Sequence, residues 1–241
     1  GVAVLRAVMK VLGVETITYS DGALREGVMY DMLGRFASED VRDRSVLALI
    51  KRYSGDKKQA KQVVKTSRNL FEQVKDKLSL TSDDCDLLRR AAFLHEIGLA
   101  ISHSSYHKHS AYLLEYSDIP GFSQVDQKRM AQLMLNHRRK LKADMFEQTC
   151  QIGGNPLVYL CLLLRLAVLA HHSRSDYKLP ELELKVISDS DWQITVADSS
   201  EHYAFLVADL RTEIEQFAKW GVQLSVVEAQ ATEPLPLSVS S

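Results

Sequence analysis

The 241-residue chain is 46% hydrophobic and 25% charged, the balance of an ordinary globular protein with room for a sizeable core. Its 30 Lys and Arg nearly cancel 31 Asp and Glu, leaving a formal net charge of -1, so no global field points to DNA or a membrane surface, and an anion site has to be a local patch. Cys85, Cys150 and Cys161 are odd in number and form no CxxC pair, which argues against a disulfide scaffold and for a reduced, cytoplasmic setting.

Over residues 1–12 the apolar positions Val4, Leu5, Val8, Met9 and Leu12 recur every three or four residues, which predicts an amphipathic helix closed by Gly13. Residues 14–19 read as a short strand, Ser20-Asp21-Gly22 as a turn and residues 23–36 as helix. One strand among helices cannot bury both of its faces, so this piece reads as the end of an α/β domain whose sheet lies upstream. With neither an initiator Met nor a basic leader ahead of Val2, the chain reads as part of a longer protein.

Residues 37–179 carry helical periodicity almost throughout. A helix starts at Ser38-Glu39-Asp40 and runs to Arg52, and Ser54-Gly55-Asp56 ends it and caps the next, over residues 57–78. Thr81-Ser82-Asp83-Asp84 opens a helix through His95, and a further helix covers residues 107–114. Beyond the Pro120-Gly121-Phe122 corner, another runs from Ser123 to His137. Gly153-Gly154-Asn155-Pro156 is a turn that starts an apolar helix over residues 157–170, too short to span a membrane and interrupted by Arg165. After Pro180, residues 182–186 and 192–196 alternate about Ser188-Asp189-Ser190-Asp191, a hairpin; residues 202–219 are an amphipathic helix and Val222, Leu224 and Val226 a third strand. The end, from Ala229, has no periodicity and is expected to be disordered. The fold class is therefore mainly α: a helical bundle with a short α/β remnant before it and a small β-β-α-β module after it.

Two local features bear on function. Residues 91–114 hold four of the eight histidines, His95, His103, His107 and His109, in an apolar frame, and buried polar groups need partners. His107 and His109 are two apart and so point to different sides of a helix. His171 and His172 end the apolar helix, where the negative pole of the macrodipole favours a partial positive charge, and they read as structural. The second feature is the run His137, Arg138, Arg139, Lys140 and Lys142. Part of it serves the end of a helix, but five potentially cationic side chains exceed that need, and guanidinium and ammonium groups suit phosphate oxygens. There is no GxSxG, GxxxxGK[ST] or HExxH, so no catalytic residue is assigned.

Four motifs in register add a resemblance. Ser20-Asp21-Gly22-Ala23-Leu24-Arg25-Glu26-Gly27, Leu94-His95-Glu96-Ile97-Gly98, Tyr106-His107-Lys108-His109-Ser110-Ala111-Tyr112-Leu113 and His137-Arg138-Arg139-Lys140 resemble the exopolyphosphatase and guanosine pentaphosphate phosphohydrolase family. The resemblance implies that residues 1–33 end an actin-like domain, 34–180 form an HD-like helical domain, 181–228 a small α+β module and 229–241 a tail. It further implies that Mg²⁺ and the catalytic groups of the intact enzyme lie upstream. This part would bind inorganic polyphosphate or guanosine pentaphosphate through His137, Arg138, Arg139, Lys140 and Lys142, and would support a homodimer of the stringent response.

An HD domain holds a metal with a His, a His-Asp pair and a late Asp. Here the expected positions read Gln59 or Ala60, His95-Glu96 and Val168. The resemblance therefore implies a degenerate site at His95, Glu96, His107 and His109 with no metal. The alternatives are a metal-dependent HD phosphohydrolase acting on a nucleotide and a purely structural dimerisation domain.

Overall fold

The computed structural model describes residues 2–16, 40–174, 179–197 and 203–228. The chain divides into two compact units, residues 1–38 and 39–241. In the first, α1 (Val2–Leu12) ends at Gly13, where the Val14 N–H donates to the Met9 carbonyl, the six-to-one bond of a Schellman stop. Residues 14–16 of the expected strand are irregular. The rest of that strand, the motif at residues 20–27, the expected helix over 23–36 and the tail from Ala229 lie outside the described residues.

The second unit begins with α2 (Val41–Arg52), capped by the Asp40 carboxylate, which accepts from the Arg42 N–H. Asp56 caps α3 (Lys57–Val74) through the N–H groups of Lys58 and Gln59. That helix stops four residues short of the expected Leu78. Its last turn loosens because Ser79 turns left-handed at φ 53° and Leu80 N–H reaches back to the Lys75 carbonyl. Thr81 and Asp84 form a reciprocal capping box on α4 (Ser82–Leu94), as the Thr-x-x-Asp spacing foreshadows. A 3-10 turn (Ile97–Ala100) leads to α5 (Tyr106–Tyr116), and α6 (Gln124–Asn136) starts on the Ser123 hydroxyl.

Helix α7 (Ala143–Ala170) is longer than the expected apolar helix, with a kink at Gly154 (φ 65°) ahead of Pro156. By length and composition alone it is apolar enough to cross a membrane. From Leu157 onward, however, only Tyr159 and Leu169 escape full burial, and α7 packs against α3, α4 and α6, so it is the core helix of the bundle. Arginines clamp the surrounding helices: Arg89 and the buried Arg90 pair with Asp43 of α2, and Arg129 of α6 pairs with Asp84 of α4.

The expected module follows as β1 (Leu182–Ser188), β2 (Asp191–Val196), α8 (Ala204–Ala218) and β3 (Gln223–Glu228). The sheet order is β1-β2-β3, with β1 antiparallel and β3 parallel to β2. Leu182, Leu184, Trp192, Ile194, Val196 and Leu224 face inward and join the bundle's own hydrophobic core. The Gln73 amide of α3 closes the outer edge of β1: its Nε2 donates to the Leu182 carbonyl (3.0 Å) and its Oε1 accepts from the Leu184 N–H (2.5 Å).

Arg165, 3% exposed on α7, forms a two-bond ion pair with Glu213 of α8, at 2.6 Å from Nε and 2.9 Å from Nη2. Truncating one partner leaves the other charge buried and unpaired. Arg165→Met should therefore cost about 3–5 kcal/mol in urea unfolding, and the double variant Arg165→Met/Glu213→Leu should recover much of it.

Gly98 sits where a Cβ would press into the Tyr106 carbonyl and within 2.5 Å of Ser110 N, so the 3-10 turn and α5 meet only because a side chain is missing there. Gly98→Ala should destabilise by about 1–3 kcal/mol, seen as a lower urea midpoint at unchanged m-value.

Candidate functional site

The end of α4, the first turn of α5 and the end of α6 bring three of the sequence's histidines together. The His95 and His137 rings stand edge to face at 5.8 Å between centroids, and His107 lies 6.4 Å from His137. All three are buried. His95 Nδ1 lies 2.7 Å from the Ala92 carbonyl and His137 Nδ1 2.6 Å from that of Met134. A carbonyl only accepts, so each Nδ1 carries the proton and each Nε2 presents a lone pair. Those two Nε2 atoms and His107 Nδ1 have no hydrogen-bond partner among the described residues.

Burial pushes all three imidazoles below their ordinary range. His137 is lowered further by the neighbouring His95, and His107 is brought to about 4 by burial and then by Arg138, Lys108, Arg139 and His109. The cluster is thus neutral at pH 7. Ser110 ties it down: its hydroxyl accepts from the Gly98 N–H and donates to the His95 carbonyl. His109, on the same helix as His107, is half-buried on another side and outside this group.

The run 137–142 divides into two parts. His137, expected among the polyphosphate-binding residues, is 2% exposed and neutral, so it belongs to the buried cluster and not to the basic edge. Its neighbours form a loop whose backbone is anchored from below. The Asn136 and Arg139 carbonyls accept from Arg165, the Leu141 N–H donates to Gln216 Oε1, and the Lys142 carbonyl accepts from Trp220 Nε1. Arg139 takes a left-handed conformation (φ 69°) at the bend. The side chains turn the other way: Arg139, Lys140 and Lys142 are exposed, and Arg138 lies 4.3 Å over the Tyr106 ring, a cation–π contact that orients it. Among the described residues no carboxylate forms an ion pair with any of these four, whereas Arg89, Arg90, Arg129, Arg165 and Arg174 all have one.

The residues do not fit the metal of an HD domain. Gln59 donates its amide to the His171 carbonyl, Val168 is core, and the Glu96 carboxylate is taken by Arg174. Among the described residues no three His, Cys, Asp or Glu side chains converge on a common point. His171, read as structural at the end of the apolar helix, is half-buried. Its Nε2 is 2.8 Å from Thr66 Oγ1, and burial lowers it to about 4, with His95 adding to the effect, so desolvation outweighs the macrodipole. Arg174, Tyr106 and Arg165 were not legible as site residues, since each acts on partners distant in sequence or on another helix.

The fold defines the class first: a mainly helical domain extended by a small three-stranded mixed sheet. The family model for the Ppx/GppA phosphatase, domain III, matches residues 41–214, and the chain belongs to that family. It is 35% identical over 236 residues to a guanosine-5'-triphosphate,3'-diphosphate pyrophosphatase of Pseudoalteromonas translucida, covering 94% of this chain and 46% of that protein. A protein of the same description from Aeromonas hydrophila is 34% identical over 232 residues, covering 95% and 46%. The chain thus spans about half the length of the curated relatives it matches.

Because the folded-state pKa values of His107 and His171 are depressed to about 4, the unfolded chain binds more protons between that value and the ordinary 6.5. Stability is then fully present above pH 6.5 and falls as the pH drops toward 4. Urea midpoints measured from pH 7 to pH 4.5 should decline steadily, and His107→Asn should flatten part of that slope; a pH-independent midpoint contradicts the neutral cluster.

Proposed function

We propose that this chain is the part of a guanosine pentaphosphate or polyphosphate phosphohydrolase that holds the polyanion and helps the protein dimerise, in the cytoplasm. The hydrolysis itself, Mg²⁺-assisted attack of water on a terminal phosphate, is assigned to residues outside this chain. Family membership and the printed function of the relatives support the substrate class. The single observation that carries the binding role is the loop of Arg138, Arg139, Lys140 and Lys142, held by its backbone and free of carboxylate partners among the described residues. A cation without an internal carboxylate partner, on a backbone fixed by α7 and α8, keeps charge available for an external anion and loses little backbone freedom on binding it.

The chemistry of the loop fits phosphate. Arg138 and Arg139 offer forked N–H donors and Lys140 and Lys142 add point charge, while the neutral histidines beneath add no charge of their own. The resulting attraction is electrostatic and should weaken with ionic strength.

Binding of inorganic polyphosphate, followed by calorimetry across a salt series, tests this reading. Arg138→Glu/Arg139→Glu should weaken binding by about ten- to a hundredfold, the worth of one or two charge-assisted hydrogen bonds, and erase most of its salt dependence. Lys61→Glu, an exposed reversal on α3, should leave it unchanged. Equal affinity of the double variant and the parent chain rejects the loop as the polyanion contact.

A further inference from the structure

Helix α5 turns a pair of bare aromatic rings toward solvent. Tyr106, His107, Ser110, Ala111 and Leu114 face the bundle. On the opposite side Tyr112 and Tyr116, one turn apart, are 60% and 69% exposed, and their rings lie 4.9 Å apart between centroids at a tilt of 41°. Aromatic rings gain much from burial, yet this pair shields only the faces turned to each other and leaves most of both rings in water.

The ridge on which they stand has an electrical direction. Lys108, four residues before Tyr112, is exposed on the same face toward the start of α5, and Glu115 is exposed near the far end. The basic loop lies at the start of the helix as well. Arg138 sits over the Tyr106 ring, and after burial itself Arg138, Lys108 and Arg139 do most to lower the His107 imidazole, so the cation of the ridge and those of the loop surround one ring. From Tyr106 to Tyr112 is about 9 Å along the helix axis and about a third of a turn round it, with His109 halfway between. A molecule laid along this path meets cations first, then two π faces, then a carboxylate. That order suits a phosphate tail joined to a flat, uncharged head. The carboxylate repels a phosphate placed beyond the tyrosines, whereas every nucleobase has a π face that stacks on an aromatic ring.

We propose that Tyr112 and Tyr116 form a stacking platform for the base of a nucleotide whose phosphates lie on the loop of Arg138 and Arg139. This rests on the reading of that loop as a phosphate contact and adds a choice of ligand to it. Bare polyphosphate uses the loop alone, while a nucleoside polyphosphate uses the loop and the platform, its ribose and phosphate chain spanning the gap between them. Stacking is tolerant of which base is bound, so the platform separates nucleotides from inorganic chains and not one base from another.

Calorimetry with guanosine triphosphate and with inorganic tripolyphosphate tests this, using the 241-residue parent chain, Tyr112→Ala/Tyr116→Ala and Tyr112→Phe/Tyr116→Phe. The parent should bind the nucleotide about tenfold more tightly than tripolyphosphate, the worth of one stacked base. The alanine variant should lose that tenfold and keep its tripolyphosphate affinity. The phenylalanine variant should keep both, since a ring without its hydroxyl still stacks. The platform is overturned if the parent binds the two ligands equally, if the alanine variant weakens both alike, or if it weakens neither. An alanine variant that keeps its nucleotide affinity but sediments differently from the parent assigns the tyrosines to a protein contact and likewise rejects the platform. A parent chain that binds no tripolyphosphate rejects the loop itself, and the platform with it, so the two failures are told apart.

Discussion

The buried pair of Arg165 and Glu213 is the constraint on which the basic loop and the C-terminal module rest. A guanidinium in the middle of the most apolar helix has to satisfy its N–H groups or pay the cost of desolvation. It does so by reaching the Asn136 and Arg139 carbonyls on one side and the Glu213 carboxylate of α8 on the other. One side chain thereby joins the core helix, the C-terminal module and the basic loop. The module is not an appendage: its inward residues share the bundle's core, and Gln216 and Trp220 complete the loop's anchoring. The loop's geometry is consequently set by parts of the chain 75 and 78 residues away in sequence.

Above that frame, charge is sorted by depth. The histidines beneath the loop are kept neutral chiefly by burial, and the Nδ1 protons of His95 and His137 are fixed on backbone carbonyls. The arginines and lysines above them remain outside any internal ion pair among the described residues. The Tyr106 ring separates the two layers and gives Arg138 an oriented seat. On the other side of His95 the opposite solution holds, with carboxylates and an arginine closing on each other. His95 and Glu96, adjacent in sequence, are thus divided between a neutral imidazole cluster and an internal ion pair.

Much of the bundle was legible from the sequence because helix starts and apolar periodicity are local. Asp56, Thr81 with Asp84, and Ser123 cap the helices that their spacing announces. The hairpin and the third strand follow from alternation, although alternation is silent on β3 running parallel to β2. The end of α3 falls short of the expectation because apolar Leu78 is buried just past the helix with its N–H still bonded to the Val74 carbonyl, so periodicity persists beyond the regular helix. The basic run was visible as charge, but the burial of His137 within it was not, since neighbours in sequence need not share a depth.

The sequence by itself determined the helical class, the helix starts at Asp40, Asp56, Thr81 and Ser123, the apolar half of the core helix and the local concentration of charge at residues 138–142, because each depends on residues within a turn or two of one another. Tertiary structure alone decided which histidines are neutral, which arginines are spent on carboxylates and which remain available. Those outcomes depend on desolvation and on partners brought from remote positions, as Arg174 is to Glu96 and Arg165 to Glu213.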